Sequence, residues 1–165
     1  MEHPDVTTYV NDSYYDYRGE LWTLWNKNEF IPKLDFNHDK ISTSKQNVLR
    51  GIHGDNKAWK LVTCPYGEVY FVIVDNNPNS PHYKKWEWTM LSDRNKKSIL
   101  TPPGIGIGFL VMSEIALFHY KWAYEGSYPD VEDQFTLRWN DPNLGITWPV
   151  NDPILSLRDQ TAPLL

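Results

Sequence analysis

The stretch NVLRGIHGDNKAWKLVTCPYGEVYFVIVD, Asn47 to Asp75, decides the fold. Its apolar residues fall in runs of strand length: Val48 to Ile52, Trp59 to Cys64 and Glu68 to Asp75. The polar turn Gly54-Asp55-Asn56-Lys57 separates the first two, and Pro65-Tyr66-Gly67 separates the second from the third. Short runs rich in β-branched and aromatic residues, bounded by Gly, Pro, Asn and Asp, read as strands. Pro-Tyr-Gly between two of them is a hairpin signal. Outward from this stretch the pattern repeats. Leu21 to Trp25 reads as an early strand, and Asn76 to Pro81 as a loop. Trp86 to Leu91 and Lys97 to Thr101 lead to Pro102-Pro103-Gly104. Ile107 to Met112 and Ile115 to Trp122 read as a further pair turning at Ser113-Glu114. The C-terminal third is irregular, with turns at Asn140 to Asn143 and Asn151 to Pro153, and helical periodicity is scarce. Many short strands at this spacing predict an all-β sandwich or barrel, of which the jelly roll is one form. Such a barrel can hold a ligand among alternate residues of its strands.

A chain of 165 residues is expected to form one domain, residues 1 to 165, with one sizeable core. Eight Trp, ten Tyr and six Phe favour β-structure and ring-stacking pockets. The net charge of −5, without a basic block, argues against a nucleic-acid binder. No apolar run approaches the ~18–20 residues that span a bilayer, so no membrane association is expected. Met1 to Asp5 is polar and acidic, unlike a signal peptide, and the lone Cys64 cannot form an internal disulfide. These features point to the cytoplasm.

Period-two alternation places Lys60 with Val62 and Cys64, and Tyr120 with Ala116 and Phe118, while His119 points the other way. An ammonium in such apolar company could stabilise an enolate oxygen, and a phenol could deliver a proton. Each also has a plain structural reading: Lys60 snorkelling to solvent, Tyr120 as a core aromatic. His53 is the best candidate base, because an imidazole titrates near neutrality. Its second nitrogen needs a carboxylate, for which Asp159 and Asp141 are both candidates. His3, at an end expected to be mobile, and His38, His82 and His119 are weaker candidates. A barrel metal site needs several His and a Glu on facing strands. His53 has no His two residues away and Pro103 to Ile107 carries none, so no catalytic metal is expected. The glycines of Gly104 to Gly108 lack a phosphate loop's Lys-Ser/Thr ending and read as strand-bending residues.

Several ordered segments resemble the dTDP-4-dehydrorhamnose 3,5-epimerase family. They are Asp16-Tyr17-Arg18-Gly19, Val48 to His53, Lys60-Leu61-Val62, Gly67-Glu68-Val69, Ser80-Pro81, Pro102-Pro103-Gly104 and Tyr120-Lys121. Trp139-Asn140-Asp141, Leu144 to Pro149, Ile154 to Asp159 and Ala162 to Leu165 continue the set. The resemblance implies a cupin-type jelly roll with short peripheral helices. It also implies a homodimer that needs neither metal nor organic cofactor and takes a nucleotide-diphosphate sugar. Members invert C3, C5 or both of a nucleotide-linked 4-keto-6-deoxy sugar, which serves surface polysaccharides such as lipopolysaccharide and capsule.

By motif position the resemblance makes His53 the base alpha to the C4 ketone and Asp159 its orienting carboxylate. Lys60 then stabilises the enolate, and Tyr120 is the acid on the opposite face. Arg50 and Arg18 resemble diphosphate and nucleotide contacts, Arg18 from across the dimer, and Lys40 lies near the nucleotide. Ile107 stands where the family often has a second His. The Trp122 to Asp130 segment, with His53-Gly54-Asp55, Lys60 to Cys64 and Asp133 to Thr136, looks closer to the branch acting on GDP-linked 4-keto-6-deoxy heptoses. A non-catalytic nucleotide-sugar-binding barrel and a 3,4-ketoisomerase on the same fold are the alternative readings.

Overall fold

Apolar side chains on both faces of one strand require cover on both sides, and this requirement organises the molecule. The computed structural model describes residues 1–28 and 32–165. In chain order its strands are β1 (Thr7–Val10), β2 (Ser13–Asp16), β3 (Gly19–Trp22), β4 (His38–Lys45), β5 (Leu49–Gly54) and β6 (Trp59–Tyr66). They continue with β7 (Glu68–Asp75), β8 (Trp86–Ser92), β9 (Lys97–Thr101), β10 (Ile105–Val111), β11 (Ile115–Ala123) and β12 (Phe135–Thr136). A 3₁₀ turn spans Val131–Asp133, and one helix, α1, spans Leu157–Thr161. Two antiparallel five-stranded sheets face each other, in orders β1-β9-β6-β11-β4 and β12-β5-β10-β7-β8, with β2 and β3 forming a separate hairpin. This is the expected all-β jelly-roll architecture, and among the described residues its helical content is confined to the two short peripheral pieces.

Between the sheets, Val69, Phe71 and Ile73 of β7 pack with Ile105, Ile107 and Phe109 of β10. Val62 and Cys64 of β6 and Ala116 and Phe118 of β11 meet them from the other sheet. The alternate β7 residues Tyr70, Val72 and Val74 point outward, where Leu137, Leu144 and Trp148 cover them. The irregular C-terminal third is therefore the cover for the outer face of the second sheet. That cover explains why β7 reads as an unbroken apolar run.

Two expected pairings are corrected. Pro65-Tyr66-Gly67 does not make a hairpin: β6 lies in the first sheet, whereas β7 pairs with β10 and β8 in the second. Likewise β10 and β11 do not pair across Ser113-Glu114, because they belong to opposite sheets. Both connections are corners that cross between sheets, and local turn chemistry does not distinguish a corner from a hairpin. At the first corner Gly67 has φ +80°, and a Cβ there would lie 2.3 Å from the Ile115 carbonyl oxygen. The early strand is Gly19–Trp22 rather than Leu21 to Trp25. Strands β1, β2 and β4, whose exposed faces carry polar residues, have no counterpart in the apolar-run reading. The amino end is also anchored: His3 is buried with Nε2 3.1 Å from an Asp75 carboxylate oxygen.

Phe118 sits at the centre of the inner core, its ring 4.2 Å from Phe109, 5.9 Å from Phe71 and 4.8 Å from Tyr120 between centroids. Phe118→Ala is expected to cost about 3–5 kcal/mol, read as a lowered midpoint in urea unfolding. A loss below about 1 kcal/mol would contradict this packing.

Candidate active site

Strand alternation brings side chains from both sheets into a cavity of about 220 Å³. From the second sheet come Arg50 and His53 of β5 and Ile107 and Phe109 of β10. From the first come Lys40 of β4, Lys60 of β6, and Tyr120 and Trp122 of β11. Tyr128, Asp130, Val131 and Gln134, from the segment joining β11 to β12, complete the lining.

His53 Nε2 lies 2.6 Å from Asp159 Oδ1. The carboxylate is 2 % exposed and is fixed from behind. Ser156, the N-cap of α1, donates its hydroxyl to Asp159 Oδ2 at 2.9 Å and accepts the Asp159 amide at 3.2 Å. Arg158 ties α1 to β12 through the Thr136 hydroxyl at 2.8 Å. This engagement of Nε2 leaves Nδ1 as the nitrogen available to the cavity. Asp141, the other candidate carboxylate, is committed elsewhere: it accepts the amides of Leu165 and Asn143.

Lys60 does not snorkel. Its side chain is 3 % exposed, its ammonium is 2.6 Å from Asp55 Oδ2, and it lies 4.9 Å from the Trp122 ring centroid. Burial pushes its pKa down, and the Asp55 carboxylate opposes that shift. Burial pushes the Tyr120 phenol well up, with the Arg50 guanidinium and the Ser42 hydroxyl pulling the other way. The phenol therefore keeps its proton through the neutral range. Arg50 is steadied by donation from Nε to the Ser44 hydroxyl at 3.0 Å. Lys40 donates to the Tyr128 hydroxyl and stands 4.1 Å from that ring's centroid.

Arg18 is not brought to this cavity. It sits at the tip of the β2–β3 hairpin, 75 % exposed and 2.6 Å from Asp16. Asp55, Trp122, Tyr128 and Gln134 are close to the candidate groups but were not singled out by their sequence. Asp55 carried a visible signal, since it alternates with His53 and precedes Lys60, but its surroundings read as an ordinary turn. Tyr128 and Gln134 belong to an aperiodic segment that has no face to assign. Among the described residues no group of three or more His, Cys, Asp or Glu side chains is placed to hold a metal ion. No described helix is long and apolar enough to cross a membrane.

The two facing sheets, with polar side chains converging at one end of the inner core, define a cupin-type barrel with an internal cavity. The chain belongs to the dTDP-4-dehydrorhamnose 3,5-epimerase family, a family of isomerases whose sequence profile matches residues 1–165. It is 38% identical over 170 residues to the dTDP-4-dehydrorhamnose 3,5-epimerase of Salmonella typhimurium, covering 98% of this chain and 91% of that protein. Similarity extends to a dTDP-4-dehydrorhamnose 3-epimerase of Streptomyces niveus, 40% identical over 129 residues, 76% of this chain and 60% of that protein. Among solved structures, the Legionella pneumophila dTDP-6-deoxy-D-glucose-3,5-epimerase in complex with dTDP-4-keto-L-rhamnose aligns with a TM-score of 0.91 at 31% identity. That alignment covers 99% of this chain and 89% of the other.

The geometry fixes a tautomer. In neutral His53 the proton is expected on Nε2, in the hydrogen bond to Asp159, and ¹⁵N-histidine NMR reads this directly. Asp159→Ala is expected to remove the downfield Nε2–H resonance. Neutral His53 carrying its proton on Nδ1 would contradict the arrangement.

Proposed function

We propose that this protein inverts C3, C5 or both of a nucleotide-linked 4-keto-6-deoxy sugar by removing a proton alpha to the C4 ketone. One observation carries the reading. The His53–Asp159 pair comes from the second sheet and its flanking helix, whereas the Lys60 ammonium and the Tyr120 phenol come from the first, and one cavity joins them.

In this reading Nδ1 of His53 takes the proton from the carbon, and the C–H electron pair becomes the enolate. The negative charge settles on the C4 oxygen, where Lys60 stabilises it in a site drier than water. Tyr120 then delivers its proton to the opposite face of the same carbon, and exchange with solvent resets both groups. No electron leaves the substrate, so the chemistry is an isomerisation. Base and acid on opposite sheets suit inversion, because a proton returned from the base's own side would restore the starting sugar.

Arg50 and Lys40 suit the diphosphate by charge, and the Arg50 fork suits paired phosphate oxygens. Arg18 would serve the nucleotide only from a second copy of the chain, which accords with a homodimer. Ile107 pairs directly with His53 across β10 and β5, setting an apolar wall beside the base. The relatives' names, and the dTDP-sugar bound in one of them, support the substrate class. That class of substrate supports a cytoplasmic place in surface polysaccharide synthesis.

Incubation with GDP-, CDP- and dTDP-linked 4-keto-6-deoxy sugars in heavy water, followed by NMR, tests the reading. Deuterium is expected at C3, C5 or both with at least one nucleotide. His53→Asn is expected to lower uptake by about 10²-fold or more, and Tyr120→Phe to retain uptake while losing inversion. No deuterium uptake from any of these sugars would favour a non-catalytic binding barrel. Migration of the ketone from C4 to C3 would favour the ketoisomerase.

A further inference from the structure

Asp55 has no part in the steps above, yet its carboxylate is buried against Lys60, a residue of the cavity wall. It is 1 % exposed and lies on the connection between β5, which carries His53, and β6, which carries Lys60. Its two oxygens have separate partners. Oδ1 accepts the amides of Lys57 at 2.9 Å and Ala58 at 2.6 Å, closing the turn, and Oδ2 meets the Lys60 ammonium at 2.6 Å. Its backbone carbonyl also accepts the Gly104 amide at 2.8 Å, which ties the turn to the start of β10. The carboxylate is thus held by backbone through one oxygen and in ion-pair contact with the cation through the other. A contact made only to close the turn would need Oδ1 alone.

We infer that Asp55 is a positioning residue, which fixes the Lys60 ammonium in the cavity wall and keeps it charged at neutral pH. The inference rests on the reading of Lys60 as the partner of the enolate oxygen. An ammonium moved from water into an apolar barrel loses hydration, so its neutral form gains. A neutral amine gives an enolate oxygen far less stabilisation. The carboxylate opposes that preference, and its rigid seat spares Lys60 the entropy of finding its orientation. The other ionisable groups around the cavity are Lys40 from β4, Arg50 and His53 from β5, Tyr120 from β11, and Tyr128 and Asp130 from the segment beyond it. Asp159 lies behind His53, and β9 sets Thr101 opposite Lys60. Among the described residues, Asp55 is the carboxylate in ion-pair contact with Lys60.

Asp55→Asn tests this, because the amide keeps the Oδ1 acceptor for the turn while removing the charge. The basic limb of the kcat–pH profile is expected to move down by about one pH unit or more, with kcat at neutral pH falling about tenfold and KM changing less than about threefold. Independently of activity, NMR of [¹³Cε]lysine protein, with Lys60→Gln for assignment, is expected to show Lys60 charged through neutral pH. The same resonance should titrate lower in Asp55→Asn. An unchanged basic limb and an unchanged Lys60 titration would overturn the proposal even if Tm fell, since a turn-closing role alone gives that pattern. If the variant does not fold, the unsubstituted protein decides: a Lys60 already neutral at pH 7 overturns it. Absence of epimerisation by the unsubstituted protein would sink the catalytic reading, while the Lys60 titration would still test the ion pair.

Discussion

An amine and two carboxylates inside an apolar barrel are stable only if each finds a partner, and the rest of the site follows from how this chain meets that demand. Lys60 pairs with Asp55, and Asp159 pairs with His53. Removing one member of such a pair leaves a buried charge uncompensated, which costs more than the pair itself contributes. Each pair is therefore fixed to backbone. Asp55 is seated in the β5–β6 turn, and Asp159 is capped by Ser156 at the start of α1. The polar constellation has little freedom to relax, and preorganisation of this kind is what carbon-acid chemistry requires.

The sheet crossings turn this local demand into an opposed geometry. Had β6 and β7 formed a hairpin, Lys60 would have shared a sheet with His53. Because the chain crosses between sheets at Gly67 and again between β10 and β11, β5 lies in one wall, and β6 and β11 lie in the other. The inner core of Phe71, Phe109 and Phe118 holds the walls apart at the base of the cavity. The C-terminal third, irregular in itself, covers the outer face of the second sheet and supplies Asp159 on its short helix.

The fold class and the inward-facing candidates were legible because period-two alternation records which side chains share a face. Lys60 with Val62, and Tyr120 with Phe118, lie on the faces that alternation assigns. The sheet partners were not legible, since a corner and a hairpin use the same Pro, Gly and Ser chemistry. The choice between Asp141 and Asp159 was not legible from the residues either, because both lie far from His53 in sequence and loop closure brings only one near. Asp55 escaped notice because turn composition and a buried ion pair look alike along a chain. Arg18 shows a further limit, as a residue on an exposed hairpin tip has no site within its own chain.

The central claim is that a substrate's reacting carbon lies between the imidazole on one wall and the phenol on the other, with its ketone oxygen at the ammonium. A crystal structure with a nucleotide-linked 4-keto-6-deoxy sugar bound measures this most directly. The account requires His53 Nδ1 within about 3.5 Å of C3 or C5 on one face of the ring, the Tyr120 hydroxyl on the opposite face, and Lys60 within hydrogen-bond distance of the C4 oxygen. A sugar bound outside the barrel, or one with the imidazole and the phenol on the same face, would contradict it.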